Sequence, residues 1–256
     1  MTRAGRRGRA GNRKSEEFAV PSPNGELWNR ADFDHMQLWF LERGMIEIIT
    51  PDIYFSHRDK IAAMHRQRHH VFKARMGWDV NSRNGMERDV YDLLSPIYLL
   101  STKEGNVEGS WRLLPTTGPN MLRDIFPELM EGQSLPADPR IWETSRFAVE
   151  SLPETLSGLR AVSRVTREMF CGLVELCLLF GIREIVTVYD VRIERLLERI
   201  GCAPYWRSGE HLIGNTVTVA GRFEISDGVL QAIRDAGGIT EPVLYREQPL
   251  EYGHAA

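Results

Sequence analysis

The order of apolar and polar positions changes period several times along the chain, and each change marks an element. Residues 45–50 alternate and are rich in β-branched side chains, which predicts a strand closed by Pro51. Over residues 57–75 the period becomes helical, with Ile61, Met64, Arg68 and Phe72 on one stripe. Residues 77–92 have no period and many polar side chains. They read as a long ordered loop, and loops of that length in compact domains are often functional. Residues 97–101 and 107–114 predict two strands joined by a turn at Glu104-Gly105-Asn106, with short helices to follow over 121–130. Residues 141–149 predict a further strand. Residues 157–180 predict a long amphipathic helix whose buried stripe is Leu159, Val162, Val165, Met169, Leu173, Leu176 and Phe180, stopped by Gly181. A strand over 184–189, a helix over 192–200 ended by Gly201 and a strand over 216–224 complete the pattern. This order predicts an α/β fold, a mixed twisted sheet with helices on both faces.

The ends of the chain differ from this body. The first fourteen residues carry Arg3, Arg6, Arg7, Arg9, Arg13 and Lys14 with no acid, and residues 1–25 as a whole hold too little apolar content to order themselves. They read as a solvated tail rather than a nucleic-acid-binding arm. Residues 26–43, with Leu27, Phe33, Met36, Leu38, Trp39, Phe40 and Leu41, predict a short helix. The expected organisation is an extension over 1–44, one domain over 45–225 and a C-terminal helix and tail over 226–256. A chain of 256 residues, 42% hydrophobic and 26% charged, is long enough for one substantial soluble domain, and a formal charge of −3 argues against bulk nucleic-acid binding. Cys171, Cys177 and Cys202 show neither paired nor metal-type spacing, which suits free thiols in a reducing cytoplasm. No apolar run reaches membrane-spanning length, and no apolar segment follows the arginine-rich start. A cytoplasmic location without a membrane partner is expected.

Charge changes the picture in one stretch. Arg68, Asp89, Asp92, Arg112, Glu143 and Arg146 recur inside segments that otherwise read as core, beside Trp78, Trp111, Trp142 and Phe147. Burying such groups costs several kcal/mol apiece unless they pair. The stretch is therefore either a structural ion-pair network or an active site, with Asp89 and Asp92 expected to pair with Arg68, Arg112 and Arg146. A regular strand places Glu143 and Arg146 on opposite faces. Either a β-bulge re-aims one of them, and frees a backbone N–H, or only one of them touches substrate directly; the bulge is the favoured reading.

Arg68, Phe72, Trp78, Asp89, Asp92, Arg112, Phe126, Glu143 and Arg146, with the intervening run from Arg112 to Leu122 (R-L-L-P-T-T-G-P-x-M-L), carry a family resemblance. In their order and spacing the chain resembles the acyl-homoserine-lactone synthases, the LuxI-type autoinducer synthases of bacterial quorum sensing. The likeness runs from about Met45 to about Phe223. Family members typically begin near a strand like residues 45–50, so Met45 is a candidate physiological start. The resemblance implies a GNAT-like acyltransferase fold and two substrates, S-adenosylmethionine and an acyl thioester on acyl carrier protein, with no cofactor and no metal. The amine of S-adenosylmethionine attacks the thioester, and the methionine carboxylate then closes the lactone and releases 5′-methylthioadenosine. Glu143 and Arg146 are implied as catalytic, with Glu143 as the base acting through a water. A carboxylate near apolar Trp142 and Phe147 would have a raised pKa suited to that task. Arg68, Phe72, Trp78, Asp89, Asp92 and Arg112 are implied to hold S-adenosylmethionine, Trp78 against the sulfonium, and Phe126 and Thr187 to line the acyl pocket. Threonine at the place of Thr187 resembles what members preferring 3-oxo donors carry.

Other features admit blander readings. His65, His69 and His70 have metal-type spacing without a third ligand, and read better as a basic helix face. Arg160, Arg164 and Arg167 fall on one helix face, either as a landing patch for an acidic carrier protein or as a solvated surface. Related acetyl-coenzyme-A enzymes cradle pyrophosphate with an Arg/Gln-x-x-Gly-x-Gly/Ala loop. After the strand over 141–149 this chain offers only Glu154-Thr-Leu-Ser-Gly158-Leu-Arg160, which favours a carrier-protein donor. The competing readings are an N-acyltransferase acting on another amine or from coenzyme A, and a catalytically silent protein that docks nucleic acid through its arginine-rich start.

Overall fold

The structure, a computed structural model, describes residues 46–103, 106–135, 137–150 and 162–244, and the backbone of one strand pair ahead of them. In that pair Val20–Pro21 runs antiparallel to Leu27–Trp28, so the helix expected over 26–43 does not begin at Leu27, which is extended. Met45, Arg160 and the rest of the expected extension lie outside the described residues.

Eight strands form one sheet: β1 (Ile46–Ile49), β2 (Ile97–Lys103), β3 (Asn106–Pro115), β4 (Ile141–Val149), β5 (Glu184–Asp190), β6 (Trp206–Arg207), β7 (His211–Ile213) and β8 (Thr216–Glu224). Their order is β6–β8–β5–β4–β3–β2–β1, with β7 also on β8. The ladders are antiparallel except between β4 and β5. That parallel ladder has four rungs, Ile141↔Glu184 to Thr144↔Thr187, and stops there although both strands continue. β5 stays paired with β8 as far as Asp190, so the sheet opens between β4 and β5 at its middle.

Alternation along the strands gives the two faces different contents. One face presents Ile97, Leu99, Trp111, Leu113, Trp142, Ile185, Tyr189, Val219 and Phe223 to helices α3 (Arg164–Leu179) and α5 (Asp227–Gly237), through Met169, Leu173, Leu176 and Ile233. Close approach is built in here, because a Cβ on Gly172 of α3 would come 3.3 Å from the Ile46 side chain of β1. The other face is covered by α1 (Arg58–Arg68), whose Met64 packs on Ile49, Tyr98 and Leu100, and by the short α2 (Met121–Asp124), whose Leu122 packs with Ile141, Val186 and Ala220. The expected architecture, a mixed sheet with helices on both faces, is present.

Boundaries moved where local hydrogen bonding outweighed periodicity. The helix expected over 57–75 is α only to Arg68 and continues as a π turn, His69–Arg75, in which Met76 N–H reaches back to the Val71 carbonyl. The predicted stripe survives, since Met64, Arg68 and Phe72 are all buried. The long helix begins at Arg164 because Ser163 caps it, its hydroxyl accepting from Thr166 N–H, so Val162 precedes the helix and Leu159 lies outside the described residues. The helix expected over 192–200 divides into a 3₁₀ turn, Val191–Ile193, and α4 (Glu194–Arg199). The loop over 77–92 contains a small hairpin, Ser82–Arg83 with Met86–Glu87, turned by Asn84 and Gly85 at φ 54° and 72°. The C-terminal helix α5 does not trail from the domain. Val243 and Leu244 after it join the core, donating N–H bonds to Glu175 of α3, while Ile46 N–H donates to the Val243 carbonyl.

Candidate active site

Six charged side chains on the α1 face close into a ring. Arg68 donates from Nε to Glu87 at 2.6 Å and pairs bidentately with Asp92 at 2.8 and 3.1 Å. Arg112 Nη1 bridges Asp92 at 3.0 Å and Asp89 at 2.5 Å. Arg146 reaches Asp89 at 2.8 Å and Glu87 at 3.0 Å, which returns the circuit to Arg68. Arg68 and Arg112 are buried, as are Glu87 and Asp92, while Arg146 and Asp89 form the more open side. Three arginines against three carboxylates leave no net charge, which is the condition under which such burial is tolerated. The pairing expected for Asp89 and Asp92 is present; Glu87, to which the sequence assigned no role, closes the ring.

Local structure aims each member. α1 brings Arg68 inward on its buried stripe. The Asn84-Gly85 turn folds Glu87 back beneath α1, where the Glu87 carbonyl is held by His65 Nδ1 at 2.9 Å. His69 Nδ1 instead meets Ser82 Oγ at 2.6 Å, and His70 is exposed, so the three histidines serve different neighbours. Asp89 and Asp92 cap a 3₁₀ turn, Val90–Leu93, reciprocally: Tyr91 N–H donates to Asp89, and Asp89 N–H donates to Asp92. Tyr98 Oη donates to Asp92 at 2.9 Å. Burial alone would raise the pKa of Asp92. The charges and hydrogen bonds of Arg68, with Arg112, outweigh it and hold the carboxyl well below the usual range.

The expected bulge is on β4. Arg112 pairs with Ser145 and Ser110 with Ala148, so Arg146 and Phe147 together oppose Trp111. Arg146 takes the extra place in a left-handed conformation, φ 59°, which is uncommon for a residue with a Cβ. Glu143, Ser145 and Arg146 thereby share the ring face. Phe147 returns to the α3 face against Trp111 and Phe170, with ring centroids 4.4 and 5.3 Å away. Ser145 Oγ accepts from Arg112 Nε at 3.0 Å, and Met121 Sδ lies 3.2 Å from Arg112 Nη2 and 3.6 Å from Arg146 Nη1.

Glu143 is 1% exposed and faces the start of α2, its oxygens accepting from Met121 N–H at 2.9 Å and Leu122 N–H at 2.6 Å. Burial raises its pKa, and those two amides only temper the rise. The direction agrees with expectation but the cause does not. Trp142 and Phe147 lie on the opposite face, and the covering comes from α2.

The aromatic residues form a stack beside the ring. Trp78, 37% exposed, lies parallel to buried Phe72 at 5.3 Å and 11°, and the Arg146 guanidinium sits 5.9 Å from the Phe72 centroid. Phe126 and Thr187 are not brought together. Phe126 packs with Leu122, Val186 and Val188 on the ring face, whereas Thr187, between Val186 and Val188, turns to the α3 face. The Thr187 hydroxyl donates to the Thr144 carbonyl at 2.9 Å. Arg164 and Arg167 lie on the first turns of α3, Arg164 paired with Glu168; Arg160 is outside the described residues. Glu87 had a legible signal, since Asn84-Gly85 is a strong hairpin turn and fixes where the next carboxylate goes. Tyr98, Met121 and Ser145 had none, being ordinary strand or helix-start residues by pattern.

The chain matches the autoinducer synthase family over residues 52–233. It is 44% identical over 179 residues to an acyl-homoserine-lactone synthase of Rhizobium radiobacter, covering 69% of this chain and 84% of that one. It is 43% identical over 170 residues to one of Pseudomonas aeruginosa, covering 65% and 83%. Among solved structures, the acyl-homoserine-lactone synthase LasI aligns with a TM-score of 0.65 at 39% identity, covering 74% of this chain and 94% of that one. BjaI, a CoA-dependent acyl-homoserine lactone synthase solved with SAM and isopentyl-CoA, aligns at 0.69 and 27% identity, covering 78% and 92%. The fold is the GNAT-like one of these enzymes, and the chain belongs to the autoinducer synthase family, acyltransferases that make acyl-homoserine lactones.

Proposed function

We propose that this synthase acylates the amine of S-adenosylmethionine from an acyl-carrier-protein thioester and then lactonises the product, releasing 5′-methylthioadenosine. The observation that carries the reading is the placement of Glu143, the αL bulge at Arg146 and the charge ring around one opening in the sheet. The ring is neutral, and Glu143, with Asp124 close enough to act on it, adds negative charge beside it. Together with the exposed face of Trp78 it suits a substrate with a sulfonium cation. The first step needs the substrate ammonium to lose a proton, and Glu143, its pKa raised by burial, is matched to take it through a water. The parting of β4 from β5 after Thr144 offers unpaired backbone to a thioester oxygen, in the manner of an oxyanion site. The second step breaks the bond from carbon to sulfonium as the carboxylate attacks that carbon. It needs alignment more than charge, because the sulfur leaves neutral. The ring is suited to provide that alignment by fixing Arg146 and the Phe72–Trp78 stack.

The donor assignment rests on the sequence after β4, which lacks a glycine-rich pyrophosphate loop. Arg164 and Arg167, with Arg160, would be the landing surface for an acidic carrier. Coenzyme A, the donor named for BjaI, is the second reading. The test is turnover of matched acyl-carrier-protein and acyl-coenzyme-A thioesters with S-adenosylmethionine, followed by mass spectrometry of the lactone. Higher kcat/KM with the carrier supports the proposal. Equal or better turnover with coenzyme A reverses the donor, and absence of 5′-methylthioadenosine removes the lactonisation step.

A further inference from the structure

The arginines of the ring are not satisfied by its carboxylates alone. Arg112 gives Nε to Ser145 and Nη1 to Asp89 and Asp92, but among the described residues its Nη2 meets only the Met121 thioether, at 3.2 Å. Arg146 gives Nε to Glu87, and among the described residues its Nη1 meets only the same sulfur, at 3.6 Å. A thioether is a weak acceptor, and the Arg112 side chain has no exposure to water that could do better. Two cationic donors therefore converge on one sulfur, where an oxygen would satisfy them far more strongly. Met121 itself is only partly buried, on the first turn of α2 and against Arg146 on the more open side of the ring. The thiols of the chain offer no rival to it. Cys171, Cys177 and Cys202 are buried, and burial holds each above its ordinary pKa, away from the reactive thiolate.

We propose that Met121 is a modification site, oxidised by hydrogen peroxide to a sulfoxide whose oxygen ties Arg112 to Arg146 and stops synthesis. The inference rests on the reading of the ring as the active site. A lone pair of the sulfur attacks one peroxide oxygen, and the O–O bond breaks. The departing hydroxide takes the proton of the transferred oxygen and leaves as water, so the sulfur loses two electrons and the peroxide gains them. The guanidiniums favour both ends of this step. Their N–H groups stabilise the departing oxygen anion, and afterwards they donate to the sulfoxide oxygen, a strong acceptor where the sulfur was weak. Arg146, implied as catalytic and held in a left-handed bulge, is then fastened across the ring instead of turning to substrate. Sulfoxides are reduced back by dedicated enzymes, which makes the change reversible.

The test exposes the full chain to hydrogen peroxide, removes the excess with catalase before substrates are added, and follows lactone synthesis beside tryptic peptide masses. Met121 is the one methionine of the tryptic peptide 113–123, so its oxidation is read there as one added oxygen. Met76, 42% exposed and without an arginine contact among the described residues, is the comparator in the peptide 76–83. Synthesis should fall by about tenfold or more, in step with oxidation of 113–123 and not of 76–83, as follows when a group near the reacting atoms is displaced. Tm should hold or rise, because the new oxygen bonds two donors, and the two reductases specific for the sulfoxide epimers should restore the rate. In Met121→Leu, whatever activity remains should be indifferent to peroxide. Peptide 113–123 left unmodified while 76–83 is fully oxidised overturns the inference and leaves the active-site reading standing, as does full activity with Met121 oxidised. A Met121→Leu protein inactivated as fast as wild type overturns it too, as does a Tm that falls with the activity. If Met121→Leu fails to fold, a loss of activity that the reductases do not reverse decides against it independently. Absence of lactone from the untreated protein overturns the active-site reading, and this inference with it.

Discussion

β3 and β4 build two unlike surfaces from adjacent residues. Toward α3 they present Trp111, Leu113, Trp142 and Phe147, which are held by removal from water at about 25 cal/mol per Å² of apolar area. Toward α1 and α2 they present Arg112, Glu143, Ser145 and Arg146, which are held by one another. The difference lies in what a single change leaves behind. Truncating a core residue leaves a cavity that its neighbours can partly close. Removing one ring member takes one of two counterions from each of its neighbours and leaves the ring with a net charge that no other member can balance. The apolar face therefore tolerates variation in degree, whereas the ring is close to all-or-none.

The largest expected effect breaks that ring. Asp92→Ala should destabilise the fold by about 3–5 kcal/mol, because Arg68 and Arg112 lose a shared carboxylate, and lactone synthesis should disappear with it. Leu113→Val on the other face should cost about 1 kcal/mol and keep most activity. Urea unfolding of both variants measures the contrast, and similar losses would show that the two faces are held alike.

Glu143→Gln comes next. Loss of a general base should lower kcat by roughly a hundredfold or more. The structure adds a cost that composition hides, since the glutamine NH₂ would face the N–H of Met121 or Leu122. A stability loss of about 1–3 kcal/mol should accompany the change. Thermal melts beside steady-state rates separate the two effects, and near-normal turnover would remove Glu143 from the mechanism.

Acid should act on the two carboxylates with opposite sign. The folded pKa of Asp92 is depressed, so its contribution is present above the unfolded value near ~3.9 and is lost as pH falls through the folded one. The folded pKa of Glu143 is raised, so ionising it opposes stability as pH rises above an unfolded value near ~4.3. Activity should follow Glu143, with kcat/KM falling as pH drops through a value above the ordinary glutamate range. In Asp92→Asn the acid-side loss of stability should flatten, while in Glu143→Gln the acidic limb of residual activity should vanish.

The smallest effect belongs to the surface. Charge reversal of Arg160, Arg164 and Arg167 together should raise the KM for acyl carrier protein severalfold, more at low salt, and leave the KM for S-adenosylmethionine in place. A shift confined to S-adenosylmethionine would put the landing surface elsewhere.

Much of this site could be read before folding. Charged residues at core-like positions announced Arg68, Asp89, Asp92, Arg112 and Arg146, because burial of charge is rare enough to be informative. The three-residue spacing of Glu143 and Arg146 announced a bulge, since a period of two allows no other way to share a face. Period also located β4 and β8 to the residue and the helical run over 57–75 within one, while that run changes type after Arg68 and the helix expected over 157–180 starts only at Arg164. There a π turn and the Ser163 cap, each a matter of a few hydrogen bonds, overrode an apolar stripe that continued unchanged.

The sequence by itself determined the family, the sheet-and-helix order and the identity of most charges that had to pair. Those follow from residue type and spacing along one dimension. Only the tertiary structure decided that Glu87 closes the ring, that α2 rather than Trp142 and Phe147 buries Glu143, and that Phe126 and Thr187 lie on opposite faces of the sheet. It alone showed that Thr187 is bonded while Thr144 is not. Which hydrogen bonds are made depends on partners distant in the chain, brought within about 3 Å by packing, and no local pattern encodes that distance.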